Sequence, residues 1–232
     1  YTLGIICSHG HGSLIDRFRT EANDKVLPYF WSDMEIADWL NDAVEEAAIR
    51  GRLIYESEDA AVCNIAVVEG QSRYDLHSAL YELVCVRLSY DGDDESKNQS
   101  LCLVSSEALQ AALPDWRTNT DGTRFALQDD KGLRLIPPPT KSGVVAIEGY
   151  RLPLVPMQNN AESPEINAAH HRHLVNWALH KAFAIPDAEA FDPNRSEIAR
   201  QAFSSYFGDS PDSDLRRITR EDAQHHVEAF WV

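Results

Sequence analysis

The feature that most restricts the fold of this chain is a change of hydrophobic period. Residues up to about Glu56, and again from Ser163 to Phe207, repeat their apolar positions at helical spacing, whereas the stretch between them alternates in steps of two. A helical stripe and a half-buried strand need different patterns, so the two ends form one body and the middle another. The fold class expected is α+β. A helical body is built from both chain ends (13–59 and 157–208), with an inserted small antiparallel β-sandwich or barrel module (60–156). A flexible segment (1–12) precedes it and an extended C-terminal arm (209–232) follows.

The helical signals are specific. Ser13 opens the first helix with Asp16 reaching back as a capping-box variant, and Leu14, Ile15, Phe18 and Ala22 share a face that ends at Asn23-Asp24. Ser32 and Glu35 form a capping box for a second helix. Its apolar stripe is Ile36, Leu40, Ala43, Val44 and Ala47; Asp38, Asp42, Glu45 and Glu46 face away, Gly51 is the left-handed stop, and Tyr29-Phe30-Trp31 staple its start. Ser163-Pro164 and Asp192-Pro193 are two further starts, each with proline at the first helical position. The first runs to Ile185 before Pro186; the second presents Ile198, Ala202, Phe203 and Tyr206 inward and ends at Gly208.

Six short strands are expected in the middle: around Cys63–Val67, Val84–Tyr90, Leu101–Val104, Phe125–Leu127, Leu133–Leu135 and Val145–Ile147. Turn residues such as Asp91-Gly92 and the run Pro137-Pro138-Pro139 separate them, and a short helix capped by Ser106 runs from Glu107 to Leu113.

Composition excludes several functions. With 21 basic against 37 acidic residues the net charge is −16, which opposes generic binding to phosphate backbones or anionic membranes. It suits a wall past which DNA slides. No apolar run approaches the ~20 residues that span a bilayer. Cys7, Cys63, Cys85 and Cys102 form no CxxC pair and fit a reducing compartment. His170, His171, His173 and His180 lack the i, i+4 frame of a helical zinc site, His9 and His11 read as part of a mobile segment, and His225-His226, with only Glu221 and Asp222 nearby, reads as solvated or at an interface, so no metal or cofactor is expected. Carboxylate pairs at Glu58-Asp59, Asp93-Asp94-Glu95 and Asp129-Asp130 read as exposed turns. No nucleophile-elbow, phosphate-loop or dinucleotide motif is present.

Phe30-Trp31-Ser32-Asp33-Met34-Glu35-Ile36 followed by Trp39-Leu40-Asn41-Asp42-Ala43 resembles the second-helix signature of tailed-phage head-to-tail adaptor (connector) proteins. Tyr74-Asp75-Leu76, Leu83-Val84-Cys85-Val86, Leu133 to Pro139 and Glu148-Gly149-Tyr150-Arg151 follow in the order of the podophage adaptor insertion. The similarity covers Ser13 to Phe207; the first twelve residues depart from it. It implies a structural, non-enzymatic virion protein, made in the host cytoplasm and placed in the neck. Such proteins form a homo-oligomeric ring, commonly of twelve copies, between the portal protein and the tail or nozzle proteins, with genomic DNA passing through the lumen unbound. Portal contact is expected from the arm, through Arg216, Arg217, Arg220, Phe230 and Trp231, since arginines and aromatic anchors dominate protein docking. Two other classes stay open: an acidic, carboxylate-dependent hydrolase of the peptidoglycan type, and a monomeric binding module.

Overall fold

The computed structural model describes residues 11–93, 98–117, 122–159, 161–186 and 189–211, apart from the side chains of His11 and Ala112. The chain divides into two units, 11–54 with 151–210 and 55–150, each with its own apolar core.

Unit 1 is built from α1 (His11–Ala22), α2 (Asp33–Gly51), α5 (His171–Phe183) and α6 (Pro193–Phe207), with α5 packed against the other three. Every residue of the expected α2 stripe is buried, joined by Ala48, and the Ser32–Glu35 capping box is complete. Leu14, Phe18, Ile36, Leu40, Leu174 and Phe203 are sealed from solvent at the centre.

Four local expectations are corrected. The first helix already runs at His11, so Ser13 lies inside it and does not cap it. The left-handed residue after α2 is Arg52, not Gly51. Gly51 is needed for space: a Cβ there would meet Leu53 Cδ2 at 2.7 Å, where the chain folds back onto the core. Ser163-Pro164 starts no helix, because Glu165 is drawn to Arg151 and the Leu154 amide while Asn167 closes a turn over Ala169; α5 begins only at His171. The inner face of α6 is Ser196, Ala199, Phe203 and Phe207, so Ile198 is left 66% exposed, with Ala202 and Tyr206 also outside. The Asp192 start and the Gly208 stop stand as expected.

Unit 2 contains two sheets. One joins β1 (Tyr55–Glu56), β9 (Gly143–Arg151), β4 (Leu80–Tyr90) and β5 (Gln99–Ser100) in that order, with β2 (Asn64–Val67) also on β9. The other runs β3 (Arg73–Asp75), β8 (Gly132–Ile136), β7 (Phe125–Gln128), β6 (Cys102–Leu103). Helices α3 (Ala60–Cys63) and α4 (Ser106–Ala112) are short, and α4 is capped by Ser105, one residue earlier than expected. Val86, Leu88, Leu133, Leu135 and Val145 fill the core.

The fold is α+β, with a correction to the module. It is not purely antiparallel, since β6 pairs with β7 in parallel, and the sheets close into no barrel. A chain that returns to sheet β3-β8-β7-β6 through α4 arrives in the same direction as it left, which an alternation pattern does not encode. Close approach rather than side-chain bulk seats β9 on β4: a Cβ at Gly143 would lie 2.1 Å from Ser89 O, and one at Gly149 would lie 2.4 Å from Glu82 O. Among the described residues no helix is long and apolar enough to cross a membrane.

Candidate functional site

The connection between α1 and α2 is where unit 1 spends polar groups to hold apolar ones outward. Arg19, buried at the end of α1, donates to Asp24 Oδ2 at 2.7 Å and to the Trp31 carbonyl at 3.1 Å, and also pairs with Asp33. Its guanidinium lies 3.7 Å from the Tyr29 ring centroid. Asp24 in turn accepts from the Phe30 amide at 2.9 Å. A buried ion pair whose remaining donors and acceptors are filled by the backbone holds the loop in one conformation.

That conformation places Trp31 inside, edge-on to Phe18 at 5.5 Å and to Phe183 at 5.7 Å. It leaves Val26 79% and Leu27 73% exposed, with Phe30 and Met34 open to solvent beside them. Of the expected aromatic staple, then, only Trp31 enters the core. Next to this knob lies a cleft of about 270 Å³ walled by Phe30, Trp31, Phe183 and Phe191, with Arg195 stacked over the Phe183 ring at 3.9 Å. Asp24, Glu189 and Asp192 also line the cleft, Asp24 bound to Arg19 and Asp192 to the first amides of α6; the chemistry of the exposed knob beside it is desolvation against another apolar surface.

The histidine cluster ties α5 to α6. His173 stacks on Tyr206 at 3.5 Å, and His170 Nδ1 lies 3.1 Å from the Tyr206 hydroxyl. His173 Nε2 accepts from Arg172 at 2.9 Å, so this ring is neutral in that arrangement. Buried His171 holds the Ile166 carbonyl, and His180 faces the Ser196 hydroxyl at 2.8 Å. Burial, first of all, lowers the pKa of His170, His173 and His180; neighbouring Arg172 and Arg17 add to this at His173. Among the described residues no group of three or more His, Cys, Asp or Glu side chains is placed to hold a metal ion.

Of the expected carboxylate pairs, Asp94 and Glu95 lie outside the described residues, and one member of each pair has a local partner. Asp59 caps α3, Asp93 faces Lys141 at 3.8 Å and Asp129 faces Arg73 at 3.3 Å. On α2, Glu46 pairs with Arg50, Asp42 lies 3.6 Å from Lys181, and Asp38 and Glu45 are exposed. Cys63 is buried, Cys85 half-buried and Cys102 exposed. The expected portal contacts Arg216, Arg217, Arg220, Phe230 and Trp231, like Cys7, His9 and His225-His226, lie outside the described residues.

Sequence reasoning missed Val26, Leu27 and Met34 as surface features. The available signal was an apolar run, Val26 to Trp31, wedged between a helix stop at Asn23-Asp24 and a helix start at Ser32, too short to be an element of its own. A family model described as SU10 adaptor protein matches residues 11–227. No curated protein matches the chain.

Proposed function

This chain belongs to the SU10 adaptor protein family, a phage adaptor and structural part of the virion, and we propose that it works as a ring beneath the portal. The resemblance read from the second helix and the strand insertion is thereby borne out at the level of the family. In the proposed assembly, twelve copies join capsid to tail, unit 1 meets its partners through the knob at Val26 to Phe30, and DNA leaves through an acidic lumen that does not bind it. The C-terminal arm latches onto the portal through Arg216, Arg217, Arg220, Phe230 and Trp231. The role is geometric and involves no catalysis.

The observation that supports this reading best is the immobilised apolar knob. Large apolar side chains held outward by a buried ion pair lower the ordering cost of a docking event, and a patch of that kind is a liability on a protein that works alone. The net charge of −16 supports the unbound passage of DNA. Electron cryo-microscopy of the virion neck tests the proposal: a closed ring of copies against the portal is expected, and particles whose neck lacks the chain overturn it. Removing residues 214–232 from the full chain should weaken association with purified portal at least tenfold; unchanged association removes the arm from the mechanism.

A further inference from the structure

Among the described residues of unit 2, three arginines lie close together and one carboxylate, Asp129, pairs with one of them. The outer face of the four-stranded sheet is partly covered by α4 and Trp116, which pack with Leu109 and Ile136. Beyond that cover, Arg73 on β3 and Arg134 on β8 are direct cross-strand partners. Like charges facing each other across a ladder cost stability. The Arg134 guanidinium lies 4.9 Å from the Trp116 ring centroid and Arg117 lies 4.2 Å from the same ring. Gln110 Oε1 accepts from Trp116 Nε1 at 3.2 Å and from Arg117 at 2.7 Å, which fixes the indole and one guanidinium together.

Charge bookkeeping sharpens the point. On the other sheet Arg87 and Lys141 each face a carboxylate, Glu148 and Asp93. Here Asp129 serves Arg73, and among the described residues neither Arg117 nor Arg134 has an ion-pair partner. Burial, then the nearby charges of Arg73 and Arg117, push Arg134 below the ordinary arginine pKa. Two planar guanidiniums on the Trp116 ring, with Arg73 facing Arg134 across the ladder, form a site for carboxylates in a chain of net charge −16.

We propose that this arginine shelf receives the acidic ridge of α2 from a second copy of the chain. The ridge is Asp38, Asp42 and Glu45, all exposed and spaced i, i+4, i+7, so that it projects from one side of the helix over about 10 Å. Asp42 is shared with Lys181, while among the described residues neither Asp38 nor Glu45 forms an ion pair. The two surfaces are opposite in sign and are different patches of the chain, as a head-to-tail contact between neighbours requires. Duplex DNA is the poorer occupant, because the rest of each copy repels a phosphate backbone. The proposal rests on the ring reading and supplies one of its interfaces.

Charge reversal tests it in the full chain. Arg134→Glu places a carboxylate opposite Arg73, so it removes shelf charge while relieving the cross-strand repulsion, and the melting temperature should not fall. Self-association, followed by sedimentation and by ring counting on purified portal, should weaken at least tenfold in Arg134→Glu and equally in Asp38→Arg/Glu45→Arg. Combining the three changes should recover assembly to within threefold of the unaltered chain. Rings of normal efficiency from Arg134→Glu, or a combination no better than its parents, overturn the contact while leaving the ring intact. An unaltered chain that never self-associates overturns the ring and this contact with it. DNA binding that Arg134→Glu abolishes without touching self-association assigns the shelf to phosphate and also overturns the proposal.

Discussion

Three buried arginines of unit 1 and three neighbouring arginines of unit 2 have opposite fates. In unit 1, Arg19, Arg50 and Arg151 have side chains only 6–8% exposed, and each joins a carboxylate to backbone carbonyls: Asp24 and Trp31, Glu46 and Gly208, Glu165 and Leu152. In unit 2, Arg73 is 70% exposed and faces Arg134, with Arg117 close by on the same indole. The residue type is the same; the supply of buried acceptors differs. Where the fold brings a carboxylate and carbonyls to the guanidinium, arginine becomes a rivet. Where it brings a second arginine, the charge remains available to something outside.

The comparison breaks first at Asp24. Asp24→Ala leaves Arg19 only Asp33 and the Trp31 carbonyl and removes the acceptor of the Phe30 amide; it should cost about 1.5–3 kcal/mol in denaturant unfolding. Arg19→Met combined with Asp24→Ala should cost less than Asp24→Ala alone. A loss under about 1 kcal/mol would mean that the pair is solvated and the rivet picture is wrong. The corresponding weak point of unit 2 is steric. Gly149→Ala drives a Cβ against Glu82 O and should cost about 1–3 kcal/mol by the same measurement, with loss of β4–β9 amide protection.

Those two predictions also mark how far the sequence can be read. The α2 stripe and its capping box were legible because period and cap chemistry are local, and Asp192-Pro193 and Gly208 bounded α6 for the same reason. The inner face of α6 was not legible: Ile198 is more apolar than Ser196, yet Ser196 faces inward because His180 offers it hydrogen bonds from α5. Ser163-Pro164 failed likewise, since the ion pair of Glu165 with Arg151 outweighs a local start signal. Glycines of close approach and the parallel β6–β7 pair depend on partners far along the chain. So does the arginine shelf: Arg73 is on β3, Arg134 on β8 and Arg117 in the turn after α4, and the three form no motif.

Arg134→Glu is the next test by size, and its sign is the informative part. Turning a repulsive cross-strand pair into an attractive one should stabilise the fold by about 0.2–1 kcal/mol, read as a higher melting temperature. A drop in melting temperature would show that the arginine is structural after all, and the contrast between units would collapse.

The smallest expected effect is a pH dependence in unit 1. His170, His173 and His180 have folded pKa values below the ordinary 6.5, chiefly through burial. The unfolded chain therefore binds protons that the folded rings resist, so their contribution is whole above pH 6.5 and declines as pH falls through that value toward the folded pKa values. Unfolding midpoints should drop between about pH 7.5 and about pH 5, and His173→Gln should flatten the curve. A midpoint that stays level over that range would show that the α5–α6 stack tolerates the charge.

The Arg151 amide donates to the Ile54 carbonyl at 3.0 Å, and one residue further on Tyr55 pairs with Tyr150. The outgoing and returning strands thus travel side by side, as in a hairpin whose tip happens to be an entire β module. Loop-closure entropy grows only slowly with length, so swapping 55–150 for a tight turn leaves the helices little new to solve. The β module is in that sense a cassette: residues 55–150 can be exchanged as one piece without renegotiating the packing of the four helices.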